Sequence, residues 1–305
     1  TYSRFGQPPI VELISMPDHH VVRVLSENKA LNEKLAALTP CHHEFFKVPI
    51  EDGFIADAWC IKPPDFDPSK KYPLFIHVYG EPAASTVLDV WAGDNFLWHL
   101  MMAQNGYVVV CIDNRGTPAP LGRAWRKSIY RQIGSLASRD QAAATREILR
   151  TRPYLDASRV GIWGWSGGGS MSLNAIFRHP DLYHTAMAIA FVANQRFYDT
   201  IYQERYMGLP DDNAEGFRHG SPVTFAHQLQ GNLLLVYGTG DDNCHYQNCE
   251  VLVTELVNHN KQFSQVVYPN CGHALNEGSN TRRHLYQTLT RYLSEYMPSG
   301  DHGNG

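Results

Sequence analysis

Short apolar runs alternate with helical stretches over most of the chain. The apolar runs are bounded by glycine, proline or polar clusters, which is typical of buried strands. They lie at 73–79, 107–112, 159–163, 186–190, 233–237 and 263–268. The helical stretches between them lie at 95–105, 138–151, 170–178, 246–258 and 281–296. This alternation predicts an α/β fold with a mostly parallel sheet covered by helices on both faces, in which ligands bind beyond the carboxyl ends of the strands.

The first sixty or so residues follow another pattern, with paired extended runs and one helix. The predicted elements are strands at 10–14 and 21–25, a helix at 26–35, and strands at 44–50 and 54–61. The last two strands are joined by Glu51-Asp52-Gly53, which favours a hairpin turn. We therefore predict a small N-terminal unit over 1–40, an α/β domain over 41–298 and a flexible tail over 299–305.

Composition and charge narrow the possible classes of protein. The 305 residues are 43% hydrophobic and 18% charged, as in an ordinary globular protein. A formal net charge of -4 gives no electrostatic footprint for nucleic acid. No apolar run approaches the length of a membrane span. The chain begins at Thr1 without an initiator methionine or signal-peptide pattern, which we interpret as a processed or trimmed start.

The cysteines and paired histidines do not predict a metal site. The cysteines are Cys41, Cys60, Cys111, Cys244, Cys249 and Cys271, a spacing without a zinc signature or a dense disulfide framework. Spacing alone leaves a bridge between Cys244 and Cys249 open. The histidine pairs at 19–20 and 42–43 would point their side chains apart in an extended chain, so we expect no metal there.

A candidate nucleophile lies between the predicted strand at 159–163 and the helix at 170–178. Gly164-x-Ser166-x-Gly168 fits the nucleophile-elbow pattern, a sharp turn that exposes a serine hydroxyl. Side chains at the two glycines would collide with the neighbouring strand and helix. The three glycines that follow Ser166 could also cradle a phosphate, but no lysine follows in the spacing of a phosphate-binding loop.

Two later loops offer the partners that a serine nucleophile needs. Asp241 and Asp242 follow the predicted strand at 233–237, and His273 follows the last strand. The order serine, acid, histidine is that of α/β-hydrolases, with Ser166 as nucleophile, Asp241 as acid and His273 as base. Either aspartate could instead cap the helix that begins near Cys244, and we expect one of them to do so.

Several further motifs agree with this triad. They are Tyr72-Pro73-Leu74-Phe75-Ile76-His77-Val78-Tyr79-Gly80, Cys111-Ile112-Asp113-Asn114-Arg115-Gly116, Trp163-Gly164-Trp165-Ser166-Gly167-Gly168, Glu204-Arg205-Tyr206-Met207-Gly208-Leu209-Pro210 and Gly238-Thr239-Gly240-Asp241-Asp242-Asn243. Together they resemble the prolyl oligopeptidase family of serine peptidases, in particular its dipeptidyl peptidase IV branch. The resemblance implies an α/β-hydrolase catalytic domain that hydrolyses peptide bonds through an acyl-enzyme and releases N-terminal dipeptides, without a metal or organic cofactor.

The resemblance also assigns substrate-binding roles. The Tyr79 hydroxyl and the Gly167 N–H would form the oxyanion hole. The pocket for the residue before the cleaved bond would be lined by Val192, Tyr198 and Tyr202, and Asn243 would hydrogen-bond a substrate carbonyl. Two aromatic residues that the family often has in this pocket are replaced here, by Gly167 and Gln195. We therefore expect an enlarged pocket with weaker stacking on a proline ring.

The same resemblance bears on the rest of the protein and its partners. Relatives carry a β-propeller before this domain, with acidic residues that bind the free amine of the peptide. The predicted strands at 10–25 would be the last strands of that propeller. The resemblance further implies peptide substrates, a possible homodimer, and a periplasmic, extracellular or membrane-anchored full-length protein. The alternatives are an acylaminoacyl-type peptidase or carboxylesterase with the same triad, and a catalytically silent interaction module.

Overall fold

The computed structural model describes residues 1–300 and begins with a small antiparallel sheet. Its strands are β1 (Tyr2–Arg4), β2 (Gln7–Ile14) and β3 (Val21–Ser26), and helix α1 (Lys29–Ala36) follows. Phe5, between β1 and β2, packs its ring against those of Trp59 and Phe96 in the domain that follows. Its backbone N–H donates to Asp89 Oδ1 at 2.7 Å. These contacts fix the start of the chain on the larger part of the protein.

Eight further strands form one sheet at the centre of the protein. In chain order they are β4 (His43–Pro49), β5 (Ile55–Ile61), β6 (Tyr72–His77), β7 (Val108–Ile112), β8 (Leu155–Trp165), β9 (Thr185–Ile189), β10 (Asn232–Gly238) and β11 (Ser264–Tyr268). In space their order is β11-β10-β9-β8-β6-β7-β5-β4. The strands from β6 to β11 pair in parallel, and β4 and β5 form an antiparallel edge. This mostly parallel sheet confirms the predicted fold class.

Helices cover both faces of the sheet. They are α2 (Gly93–Gln104), α3 (Gly122–Lys127), α4 (Ser135–Thr151), α5 (Gly167–Arg178), α6 (Thr200–Met207), α7 (Ala214–Gly220), α8 (Gln247–Asn258) and α9 (Thr281–Tyr296). Alternate residues of β7 belong to different cores. Val108 belongs to the core that includes side chains of α4, α5 and α8, and Val109 belongs to the core that includes side chains of α2 and α9. Because both faces are buried, each parallel strand reads as a continuous apolar run. In the described part of the chain, no helix is long and apolar enough to cross a membrane.

The predicted strands and helices occur in the structure, and the differences concern their ends and several short elements that were not predicted. Strand β8 begins at Leu155, earlier than expected, and α5 begins directly after the candidate nucleophile. Helices α3, α6 and α7 have no counterpart in the prediction, because they are short and few of their side chains are buried. Residues 301–305 of the predicted tail lie outside the described residues.

Candidate active site

Three loops at the carboxyl edge of the sheet carry the three predicted catalytic side chains. Ser166 follows β8, Asp241 follows β10 and His273 follows β11. Strands β8, β9, β10 and β11 are neighbours in the sheet, so these loops lie side by side. Residues far apart in the sequence thereby come to one edge, where ligands bind in sheets of this type.

Ser166 lies in a strained turn between β8 and α5. Its backbone has φ 59° and ψ -123°, in a region that residues with a side chain rarely adopt. A Cβ on Gly164 would lie 2.4 Å from the Gly168 carbonyl oxygen, and a Cβ on Gly168 would lie 2.1 Å from Val78 O. Only glycine fits at either position, since real Cβ atoms do not approach backbone so closely. The turn therefore has the geometry of a nucleophile elbow.

Asp241 makes hydrogen bonds with both of its carboxylate oxygens. Its Oδ2 lies 2.8 Å from His273 Nδ1, and its side chain is fully buried. Its Oδ1 accepts from the backbone N–H groups of Asn243 and Cys244, at 3.0 and 2.9 Å. These two bonds fix the turn that precedes α8. They do not cap the helix, because its N-cap residue is Tyr246 and no side chain caps it, so the expectation that one of the two aspartates caps this helix is wrong. The backbone donors fix the carboxylate, and the fixed carboxylate orients the imidazole.

Within residues 1–300, the hydroxyl of Ser166 makes no hydrogen bond with the His273 imidazole. Ser166 Oγ lies 4.0 Å from Cys244 Sγ. Burial raises the pKa of the Cys244 thiol to about 12, which keeps it neutral and poorly nucleophilic. The His273 loop is attached to the elbow through Trp165, whose indole Nε1–H donates to His273 O at 2.9 Å. Serine–histidine hydrogen bonds are often long before substrate binds.

Tyr79 and Gly167 line one pocket together with Ser166. Tyr79 follows the end of β6, and Gly167 is the first residue of α5, where backbone N–H groups have no partner within the helix. Burial, with a smaller contribution from the charge of Glu81, raises the pKa of Tyr79 above its ordinary value of 10.0. Its hydroxyl is therefore protonated at neutral pH and able to donate a hydrogen bond.

A pocket of about 180 Å³ opens beside Ser166. Val192, Tyr198 and Tyr202 line it. Asn243 lies next to this pocket, because the Tyr198 hydroxyl donates to Asn243 Oδ1 at 2.9 Å. That bond occupies the amide oxygen and leaves the Asn243 NH2 group to donate to a substrate. The structure thus places all four predicted substrate-binding residues close to the nucleophile.

Glu81 is one of the pocket residues that were not predicted from the sequence, together with Ala83, Ser170, Gln203 and Cys244. It is 6% exposed, and a Cβ on Gly167 would lie 2.2 Å from Glu81 Cγ. The expectation that Gly167 enlarges the pocket is therefore wrong, since the Glu81 side chain fills the space. Gln195 leaves no gap either, because it is buried and donates through Nε2 to Gly220 O at 3.3 Å. The sequence did contain a signal for Glu81, since it is an acidic residue two positions after Tyr79, in the loop that follows a predicted strand.

The described cysteines and ligating side chains form neither bridges nor metal clusters. All six cysteines are free, so the possible bridge between Cys244 and Cys249 is absent. Within residues 1–300, no three histidine, cysteine or acidic side chains are grouped as they would be around a metal ion.

The fold and this edge of the sheet together define a class of protein. A serine in a strand–helix elbow, with an aspartate–histidine pair on the following loops, is the arrangement of serine hydrolases with the α/β-hydrolase fold. The sequence comparison assigns the chain to one family within this class. The sequence model of the prolyl oligopeptidase family matches residues 95–300, and the chain belongs to this family of serine peptidases. The resemblance predicted from the motifs is confirmed.

Individual relatives are similar over almost the whole chain. A prolyl endopeptidase FAP of Mus musculus is 35% identical, over 92% of this chain and 36% of the relative. A dipeptidyl peptidase 4 of Arthroderma otae is 34% identical, over 82% of this chain and 32% of the relative. The crystal structure of Porphyromonas gingivalis dipeptidyl peptidase 4 superposes with a TM-score of 0.91 at 40% identity, over 97% of this chain and 41% of that one. The chain spans about a third of the length of the curated relatives it matches.

Proposed function

We propose that this chain is the catalytic part of a serine peptidase that releases N-terminal dipeptides through an acyl-enzyme. The observation that carries the proposal is the Asp241–His273 hydrogen bond of 2.8 Å beside the strained Ser166 turn. The similarity to two proteins named dipeptidyl peptidase 4 supports dipeptides as the product.

The proposed reaction begins at Ser166. His273 takes the hydroxyl proton as Oγ attacks the peptide carbonyl, and later gives that proton to the leaving amine. Asp241 holds the proton on Nδ1 and stabilises the imidazolium that forms. Water then attacks the acyl-enzyme, again with His273 as base, and restores the free serine. Both half-reactions use side chains that this chain supplies.

Charge develops on the carbonyl oxygen during each attack. The Tyr79 hydroxyl and the Gly167 N–H are the proposed donors to that oxygen, and one such donor contributes about 2.7–4 kcal/mol to the transition state. The peptide residue before the cleaved bond would enter the pocket lined by Val192, Tyr198 and Tyr202. Asn243 would donate to a substrate carbonyl.

Two parts of the proposal concern the whole protein. The relatives are about three times as long as this chain, which supports the predicted N-terminal β-propeller with its amine-binding acidic residues. Homodimerisation stays a prediction. Sedimentation at micromolar concentration should show a dimer, and a monomer alone would contradict it for this chain.

Fluorophosphonate labelling followed by peptide mass mapping tests the nucleophile. A single adduct on Ser166, absent in Ser166→Ala, is expected. Asp241→Asn should lower the labelling rate by about 10⁴-fold, because the imidazole loses its orientation. No adduct on folded protein would refute the proposal and favour a silent interaction module.

A second assay tests dipeptide release. A dipeptide anilide with a free amine should be cleaved faster than its N-blocked form and than a short acyl ester. Preference for the blocked substrate or the ester would instead favour an acylaminoacyl-type peptidase or a carboxylesterase.

A further inference from the structure

The pocket beside Ser166 contains a buried carboxyl group that the proposed reaction does not use. Glu81 follows β6 by a few residues, is 6% exposed and lines the pocket together with Ser166 and Gly167. Its Cγ lies where a side chain at Gly167 would begin. A glutamate therefore forms part of the pocket wall beside Gly167, the residue that follows the nucleophile.

This carboxyl group has few hydrogen-bond donors. The Tyr202 hydroxyl donates to Glu81 Oε2 at 3.0 Å. None of the ion pairs among residues 1–300 includes Glu81. Buried carboxyl groups are normally paired or surrounded by donors, and desolvation without them raises the pKa of Glu81 from 4.5 to about 7.

A second acceptor belongs to Gln203, another residue that lines this pocket. Gln195 Nε2 donates to Gly220 O at 3.3 Å, and since a carbonyl can only accept, the orientation of this amide is fixed. Gln195 Oε1 then accepts from Gln203 Nε2 at 2.6 Å. Gln203 Oε1 remains buried without a hydrogen-bond partner, and Gln203 is 4% exposed. The chain of amides thus ends in an unpaired oxygen.

The residues that line the pocket therefore include these two acceptors and no cationic side chain. Two other lining residues, Val192 and Tyr198, suit an aliphatic stem. Its volume of about 180 Å³ exceeds the roughly 150 Å³ that holds a benzene-sized molecule. A ligand that fits both properties is an apolar chain that ends in a protonated nitrogen.

We propose that this pocket selects peptides with a basic side chain before the cleaved bond, whose terminal nitrogen is bound by Glu81 and Gln203 Oε1. This inference rests on the function proposed above, because it takes Ser166 as the nucleophile. The bound cation supplies the donors that both acceptors lack, and the buried carboxylate supplies the counter-charge.

Diphenyl phosphonates that carry a single amino-acid side chain test this directly. Ser166 Oγ attacks phosphorus, His273 takes the proton, and phenol leaves, so the rate of inactivation reports the fit of that side chain. The probes are the lysine and norleucine phosphonates, which share the same carbon stem and differ in the terminal ammonium group. Each is used with the α-amine blocked, so that the side chain carries the only cation.

Wild-type protein should react at least tenfold faster with the lysine probe than with the norleucine probe. In Glu81→Gln, which keeps the shape of the side chain, that ratio should fall at least tenfold. The control Glu295→Gln makes the same chemical change on the exposed side of α9 and should keep the wild-type ratio.

Two results would overturn the inference. They are a wild-type ratio near one and a ratio that Glu81→Gln leaves unchanged. Fluorophosphonate labelling of Ser166 separates this failure from that of the proposed function. If the fluorophosphonate labels Ser166 but Glu81→Gln leaves the lysine-to-norleucine ratio unchanged, only the pocket selectivity is refuted. If Ser166 is not labelled, both proposals are refuted.

Discussion

Removing the charge of Glu81 should stabilise the protein at alkaline pH but not in acid. Burial raises the pKa of this carboxyl group from its ordinary value of 4.5 to about 7. Below pH 4.5 the group is protonated in both the folded and the unfolded protein. Between the two pKa values the unfolded chain ionises first, so the free energy of unfolding decreases as the pH rises.

The size of this effect follows from the same two values. A pKa raised by about 2.5 lowers the free energy of unfolding by about 3 kcal/mol once the pH exceeds 7. The polar groups that face Glu81 do not titrate in this interval. Burial raises the pKa values of Tyr198 and Cys244 to about 12, and it raises those of Tyr79 and Tyr202 above their ordinary value of 10.0.

The assay is reversible urea unfolding of wild-type and Glu81→Gln protein at pH 4.5 and pH 8. The variant should gain about 3 kcal/mol relative to wild type between these pH values, because glutamine has no proton to lose. The control variant Glu295→Gln, which changes an exposed residue, should gain no stability relative to wild type between the two pH values. An equal difference between wild type and Glu81→Gln at both pH values would refute the reasoning, since it would mean that Glu81 ionises as freely in the folded protein as in the unfolded one.

Two further substitutions test the surroundings of the nucleophile. Tyr79→Phe should lower kcat on a dipeptide anilide by about 10²- to 10³-fold with unchanged circular dichroism; normal turnover would exclude its hydroxyl from the oxyanion hole. Gly167→Ala places a Cβ 2.2 Å from Glu81 Cγ and should reduce the free energy of unfolding by about 1–3 kcal/mol. Gly167→Ala should be less destabilising in a Glu81→Ala background. If the two substitutions change the free energy of unfolding, measured in urea, by strictly additive amounts, the close contact between residues 167 and 81 would be contradicted.

The sequence was sufficient to predict the sheet and the candidate triad for a physical reason. Strands buried on both faces must be apolar throughout, which makes runs such as 107–112 visible without any alignment. Loops at the carboxyl ends of such strands meet at one edge, so the order of Ser166, Asp241 and His273 along the chain was enough to bring them together.

The pocket could not be predicted in the same way. Its shape depends on Glu81 filling the space beside Gly167, and these two residues belong to loops after different strands. No local pattern connects them. Asp241 shows a related limit: instead of capping α8, one of its carboxylate oxygens binds the backbone of the turn before that helix, while the other binds His273.

The position of Glu81 depends in turn on residues remote from the reaction. Gly80, beside it, has a φ of 79°, and a Cβ there would lie 2.6 Å from Met171 Cγ on α5. The Gly80 carbonyl accepts from Asn114 Nδ2 at 3.0 Å, and Asn114 Oδ1 accepts from Gln141 Nε2 at 3.1 Å. The loop is thus fixed by close packing on one side and on the other by two buried amides, Asn114 after β7 and Gln141 on α4. Because buried polar groups hold their geometry only when they are paired, loss of the Gln141 amide should displace Glu81 and so alter the pocket, although Gln141 does not line it.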